Sequence, residues 1–367
     1  MTTNDPNRYI TLAIHTYDKA VALKEILEKA GVKAVLHNVN LSEPCVSSGV
    51  RIRIHEKDLP LALKIVEEPM DSLISKRAKV KILIPVDYSE NSLKACKVGF
   101  DYAQLVNGRI IILHAFMNER RRFLLPYAGE EFENEEIDEE QIKALATSRM
   151  SQFNYTINNM IESGELPKVP FKTVVKEGIA EEVILEFAEK EHVTLIIMGS
   201  HGTNKKNRST MGSVTAEVLD AGKFPIFTVP ENITLKSSAD IKHLVFFSNM
   251  IQKDVIAFDA VSRLLHKKGL KITVVPVIEK RNTFFAKNAE GQFEQYCKEH
   301  YPQYDIVMKR MNLDNDLEEL QNYITKTHVD LIAIPNKKQS IFSRLFNPSI
   351  AHRVFFDSDT PMIVVPT

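Results

Sequence analysis

Glycines that follow a buried strand and open a helix are the residues in this chain most capable of chemistry. The run Val193-Thr194-Leu195-Ile196-Ile197 leads into Met198-Gly199-Ser200-His201-Gly202. After nine intervening residues a Gly212-Ser213 pair precedes Val214-Thr215-Ala216-Glu217-Val218-Leu219. The first run reads as a buried parallel strand and the last as a helix. In an open α/β sheet this is where anionic ligands bind. Glycine lets the backbone come close to a phosphate, and a helix N-terminus offers unpaired N–H groups. Ser213 can cap the helix or donate to a phosphate oxygen. The intervening segment, Thr203 to Thr210, is basic and polar, as a flap over phosphates would be. Ordinary turn and capping chemistry would use similar residues one at a time. The whole spacing, G-x2-G-x9-G-S, is far more specific. No Lys-Ser/Thr pair follows the last glycine, so it is not a Walker loop, and the glycine spacing is wrong for a dinucleotide fingerprint.

Positioning such a loop takes alternating strands and helices. Val80-Lys81-Ile82-Leu83-Ile84-Pro85-Val86-Asp87 reads as a buried strand ending in an acid, and Ser89-Glu90-Asn91-Ser92 caps a helix through Val106. Further strands are expected at Arg109 to Ala115, Phe171 to Val175 and Pro225 to Val229, with a helix from Gly178 to Glu191. This alternation implies a doubly wound parallel sheet. Asp87 sits where ligand residues belong; its competing role is to cap a helix or turn. His114 reads as a structural strand-end residue rather than a catalyst.

Pro85-Val86-Asp87, Leu113-His114-Ala115 and the Gly199-to-Ser213 motif occur in an order that closely resembles the ATP-binding universal stress proteins. The resemblance covers residues 79 to 230. It implies an adenine nucleotide alpha hydrolase-like fold. It places Pro85, Val86, Asp87 and the Ala115 backbone beside adenine and ribose, Met198 beside the base, and Gly199, Gly202, Gly212, Ser213 and Val214 on the phosphates. The implied ligand is ATP or another adenine nucleotide, with Mg2+ or Mn2+ able to accompany it, and the implied role is regulation in a stress response. No Walker-type lysine, acidic metal pair or nucleophile elbow argues for fast turnover. A slow ATPase or nucleotide-dependent transferase and an interaction scaffold with an empty motif are the alternatives.

Residues 240–367 repeat the pattern. Ile241 to Phe247, Leu270 to Val277 and Val329 to Ile334 parallel three of the strands, and Pro361 to Pro366 matches Pro225 to Pro230. At a constant offset of 136, Pro335, Lys338, Pro348 and Ser349 replace Gly199, Gly202, Gly212 and Ser213, and at 162 Asn249 replaces Asp87. Proline lacks an N–H and lysine carries a Cβ, so no nucleotide is expected there. The two terminal strands would expose apolar edges unless they pair, which predicts an internal pseudo-dimer of tandem domains. A homo-oligomer would satisfy the same edges.

Ahead of both lies a unit of residues 1–70. Strands at Tyr9 to Ile14, Val32 to Leu36 and Val50 to Ile54 alternate with helices at Tyr17 to Ala30 and Asp58 to Val66. The order βαββα predicts a small α+β, ferredoxin-like module, similar to prokaryotic signal-transducing domains. The expected domains are therefore 1–70, 79–232 and 240–367. Asn38 to Ser48 reads as a connection, with a ligand loop as the alternative, and 68–78 as a linker; Met117 to Lys143, with eight acids from Glu130 to Glu140, reads as a solvated insertion, with a lid or partner site as the alternative.

Across its 367 residues the chain is 44% hydrophobic and 26% charged, with net charge −1. That balance makes no electrostatic case for nucleic acid as the main partner. No apolar run approaches a membrane span, and Met1 to Arg8 has no signal-type apolar region. Cys45, Cys96 and Cys297 are odd in number and in no metal spacing, which suits a reducing cytoplasm.

Overall fold

The computed structural model describes residues 9–15, 17–38, 50–66, 80–117, 139–201, 212–233, 235, 237, 240–265, 269–277, 283–311, 317–336 and 359–366. The chain starts with β1 (Tyr9–His15), α1 (Tyr17–Lys29), β2 (Ala34–Asn38) and β3 (Val50–His55), followed by α2 (Leu59–Val66). The glycine motif belongs to the next series: β4 (Lys81–Pro85), α3 (Glu90–Leu105), β5 (Arg109–Phe116), α4 (Glu139–Glu162), β6 (Phe171–Glu177), α5 (Ala180–Glu191), β7 (Leu195–Gly199), α6 (Ser213–Ala221) and β8 (Ile226–Val229). The last series is β9 (His243–Ser248), α7 (Gln252–Leu265), β10 (Lys271–Pro276), α8 (Thr283–His300), β11 (Asp305–Met308), α9 (Leu317–Lys326), β12 (Leu331–Asn336) and β13 (Met362–Pro366). Two compact units emerge, residues 1–78 with 242–320 and Thr367, and residues 79–241 with 321–366.

In the second unit seven strands run in the order β12-β13-β8-β7-β4-β5-β6. From β8 to β6 every neighbour is parallel, as expected for a doubly wound sheet. The central strands are buried on both faces, which is why they read as unbroken apolar runs. β12 and β13 are also parallel, but β13 meets β8 antiparallel, Ile363 opposite Phe227. This is the pairing of terminal strands that their apolar edges require.

Sequence periodicity missed α4, the longest helix. It starts inside the acidic block, with Glu139 and Glu140 in its first turn, where acids suit the helix dipole. Its buried stripe, Ala146, Met150, Phe153, Ile157 and Met160, recurs at spacings of three and four. Five buried positions in 24 residues give a faint signal. The remainder of the acidic block, 118–138, lies outside the described residues, as do the linker and the 39–49 connection. Asp87 stands two residues beyond the end of β4, not on it.

The first unit holds the antiparallel sheet β1-β3-β2 and the parallel run β11-β10-β9. Leu23, Leu27, Ile52 and Ile54 form the core between the small sheet and its helices. Burial raises the thiols of Cys96 and Cys297 far above their usual range, which leaves both inert. Cys45 lies outside the described residues. Among the described residues no helix is long and apolar enough to cross a membrane.

Ile363 is 1% exposed at the β8–β13 junction. Truncating it to alanine is expected to destabilise the full chain by about 2–4 kcal/mol, the usual cost of such a cavity. Urea denaturation measures this, and a loss near zero would show that the junction contributes little.

Candidate functional site

The chain reverses its winding between β4 and β7, the position at which open sheets bind ligands. Pro85 pairs with Leu113, which carries His114 and Ala115 to the same end of the sheet as Val86 and Asp87. Met198 and Gly199 end β7 opposite Thr228 and Val229. The Gly212 N–H donates to the Ser200 carbonyl at 2.9 Å, so the start of α6 is tied to the end of β7. Pro85, Val86, Asp87, Ala115, Met198, Gly199, Gly202's neighbour His201, Gly212, Ser213 and Val214 thus belong to connected strand ends and the helix they lead into. Gly202 itself and residues 203–211 lie outside the described residues.

Gly212, not Ser213, is the N-cap of α6, and as a glycine it brings no capping side chain. Ser213 is the first helical residue and is exposed. A helix start leaves backbone donors and a positive dipole end that an anion can meet.

Gly199 is required for a reason the sequence did not suggest. A Cβ there would lie 2.7 Å from Asn91 Nδ2 and 3.0 Å from its Cγ. The neighbour that demands glycine is thus a side chain of α3. Asn91 is only 6% exposed, and its Nδ2 donates to the His201 carbonyl at 3.1 Å. Spacing alone had made Asn91 one of four capping residues; the cap is Ser89, whose Oγ accepts the Ser92 N–H. Asn91 instead spans from α3 to the glycine loop. Its Oδ1 and the His201 Nε2 are buried with no hydrogen-bond partner among the described residues. Ser200 Oγ and His201 Nδ1 are 2.8 Å apart, which orients the imidazole. Thr215 on α6 donates to the Gly199 carbonyl at 2.9 Å and closes the circuit.

Asp87 organises the turn between β4 and α3. Its Oδ1 accepts from the Ser92 hydroxyl at 2.6 Å and the Ser89 N–H at 3.1 Å, and its own N–H donates to Ser92 Oγ. The turn-capping role is therefore present. Tyr88 beside it has φ of 65°, a left-handed conformation unusual for a bulky residue. Its ring packs on His114 at 4.4 Å and on Phe153 at 5.5 Å, and its buried hydroxyl has no partner among the described residues. Burial pushes the Tyr88 phenol up to about 12.

His114 Nδ1 lies 2.8 Å from the Val86 carbonyl, which only accepts, so the imidazole donates from Nδ1 and keeps Nε2 as an acceptor. Burial holds its pKa below 6.5 and Arg149 adds to this, against the Val86 carbonyl and the Asp87 carboxylate. His114 is thus a neutral strand-end residue, as its position suggested. Among the described residues no group of three or more His, Cys, Asp or Glu side chains is placed to hold a metal ion.

Two outcomes follow from this geometry. Gly199→Ala is expected to cost about 1–3 kcal/mol, the range for overpacking. Adding Asn91→Ala should recover part of that loss, so the double-mutant cycle gives a coupling well away from zero; strict additivity would contradict the contact. For His114, the unfolded chain accepts a proton near 6.5 that the folded chain refuses until lower pH. Its contribution is complete above 6.5 and is lost as pH falls below it. In urea titrations from about pH 7.5 to about pH 5, His114→Gln should therefore lose stability less steeply than the parent protein.

The same region carries the likeness to known proteins. The Universal stress protein family profile matches residues 80–230. Universal stress protein MJ0577 of Methanocaldococcus jannaschii is 33% identical over 163 residues, 41% of this chain and 93% of that protein. MJ0531 of the same organism is 27% identical over 150 residues, 81% of its length. A solved universal stress protein from Archaeoglobus fulgidus shares the fold over 78% of this chain and 96% of its own, with TM-score 0.55 and 15% identity. The structural likeness thus reaches beyond residues 80–230. By sequence profile, by its relative from M. jannaschii and by fold, the chain belongs to the universal stress protein family.

Proposed function

We propose that residues 79–232 bind one adenine nucleotide, ATP in the first instance, and that the protein acts as a nucleotide-responsive regulator in a stress response. The observation that carries this is the start of α6, capped by a glycine and tied through the Gly212 N–H to the end of β7 at the sheet's switch point. The orphaned His201 Nε2 beside it is a second polar atom that a ligand would satisfy. Gly199, Gly202, Gly212, Ser213 and Val214 would hold the phosphates. Pro85, Val86, Asp87, Ala115 and Met198 would line the base and ribose side. Mg2+ or Mn2+ would accompany the phosphates, held by them rather than by a protein cage.

We further propose that 240–367 is a second copy of the domain that has lost the ligand. At the end of β9, Met250 has φ of 57°, matching Tyr88 at 65°. The turn chemistry is kept with its partners exchanged. In the first series the strand end carries Asp87 and the helix carries Ser92. In the last, Asn249 follows the strand and its N–H donates to the Asp254 carboxylate on α7 at 2.5 Å, with Ser248 Oγ donating to the same oxygen. A duplicated scaffold explains the same unusual backbone twice. Pro335, the last residue but one of β12, takes the place of Gly199 at the constant offset, and it has no N–H to offer. Lys338, Pro348 and Ser349 lie outside the described residues.

ATP at about 100 times its Kd should stabilise the folded chain by roughly 2.7 kcal/mol and raise the Tm accordingly. Calorimetry should give one nucleotide per chain, and Gly212→Val should abolish binding with the fold intact, because a branched side chain would occupy the phosphate position. No shift with any adenine nucleotide would overturn the binding role, and two per chain would overturn the asymmetry between the copies.

A further inference from the structure

The outward face of the small sheet β1-β3-β2 has no part in the nucleotide reading. α1 and α2 cover the opposite face, and α1 also packs against α7 in the same unit. Register places Tyr9 beside His55 and Val35 beside Arg53, with His37 beside Arg51. These six side chains share the outward face, because successive residues of a strand point to opposite sides and Ile52 and Ile54 point into the core. None of the six is acidic; Glu56 and Asp58 follow in the 3-10 turn past the end of β3.

Two features of this face are independent of each other. Arg51 is exposed and has no ion pair or hydrogen bond among the described residues, and Val35 is 40% exposed. Tyr9 is held as a rigid ring: His55 packs on it at 4.1 Å, and Arg53 lies 5.9 Å from its centroid while donating to the Tyr9 carbonyl. A cationic face with a fixed aromatic ring, open on one side of an antiparallel sheet, matches the chemistry of unstacked bases on a charged backbone. An acidic peptide would pair with Arg51 but would leave the ring unused. We propose that this face binds single-stranded RNA, with a base on the Tyr9–His55 pair and phosphates along Arg51 and Arg53. The net charge of −1 averages this face with acidic segments elsewhere in the chain and so conceals it.

The test is fluorescence anisotropy of the full chain with a labelled oligouridylate of about twelve nucleotides, a site-sized strand. Binding that weakens with salt is expected. Tyr9→Ala should weaken it about tenfold, the scale of one lost base stack. Arg51→Glu should weaken it further and flatten the salt dependence, and among the described residues Arg51 has no partner whose loss could disturb the fold. Circular dichroism and ATP binding should be unchanged in both. Absence of binding at low salt, or binding unmoved by both substitutions, overturns the proposal. Equal affinity for polyglutamate also overturns it and identifies an acidic polypeptide as the occupant.

Discussion

A four-residue strand buried on every side chain cannot end a sheet. β8, Ile226–Val229, is such a strand, and β13 is nearly so. Left as edges they would expose unpaired N–H and C=O groups beside apolar side chains. Their antiparallel ladder removes both edges at once. The rest of the second unit depends on this junction, because β8 is also the neighbour that holds β7, the strand ending in Gly199. The Ser200 N–H donates to the Val229 carbonyl at 2.8 Å, so the glycine loop starts from a residue bonded to β8.

From there the site is built by short, local links. Asn91 fixes the His201 carbonyl, Thr215 fixes the Gly199 carbonyl, and Gly212 fixes the Ser200 carbonyl. Three consecutive peptide carbonyls are thereby turned toward α3 and α6. These carbonyls are engaged within the fold, as are the N–H groups of Ser200 and Gly212, so this part of the loop is held by its own backbone. The link made by Asn91 also explains why a small residue at Gly199 is needed before any ligand is considered.

Much of this was legible in the residues. The buried strands were visible as apolar runs, and the end-to-end pairing of β8 with β13 followed from the apolar character of both. The site was legible as a spacing of glycines, but not the contact that makes one of them necessary. Asn91 and Gly199 are more than a hundred positions apart, and no local pattern connects a helix-start amide to a strand-end glycine. α4 was hidden for a different reason. Its buried stripe is narrow and its first turn continues a run of acids, so charge masked the period. Asp87 shows the limit of positional inference: its position near the strand end was correct, yet a turn cap and a ligand contact use the same place and the same oxygen chemistry.

Asn336 carries the comparison of the two halves furthest. At the constant offset it stands where Ser200 stands in the glycine series, the residue from which the loop departs. Its side chain does something else: Nδ2 donates to the Leu219 carbonyl at 2.6 Å, in the last turn of α6. Gly222, at φ of 59°, ends that helix with its own N–H on the same carbonyl, and a Cβ there would come within 3.3 Å of Asn336. The C-terminal end of α6 is therefore held by β12, while its N-terminal end follows the glycine loop. A nine-residue helix is short, and isolated helices of that length are marginal. Fixing its far end keeps the N–H groups at its start in place without a capping side chain there. Asn336 on β12 thus stabilises the helix that follows the glycine loop.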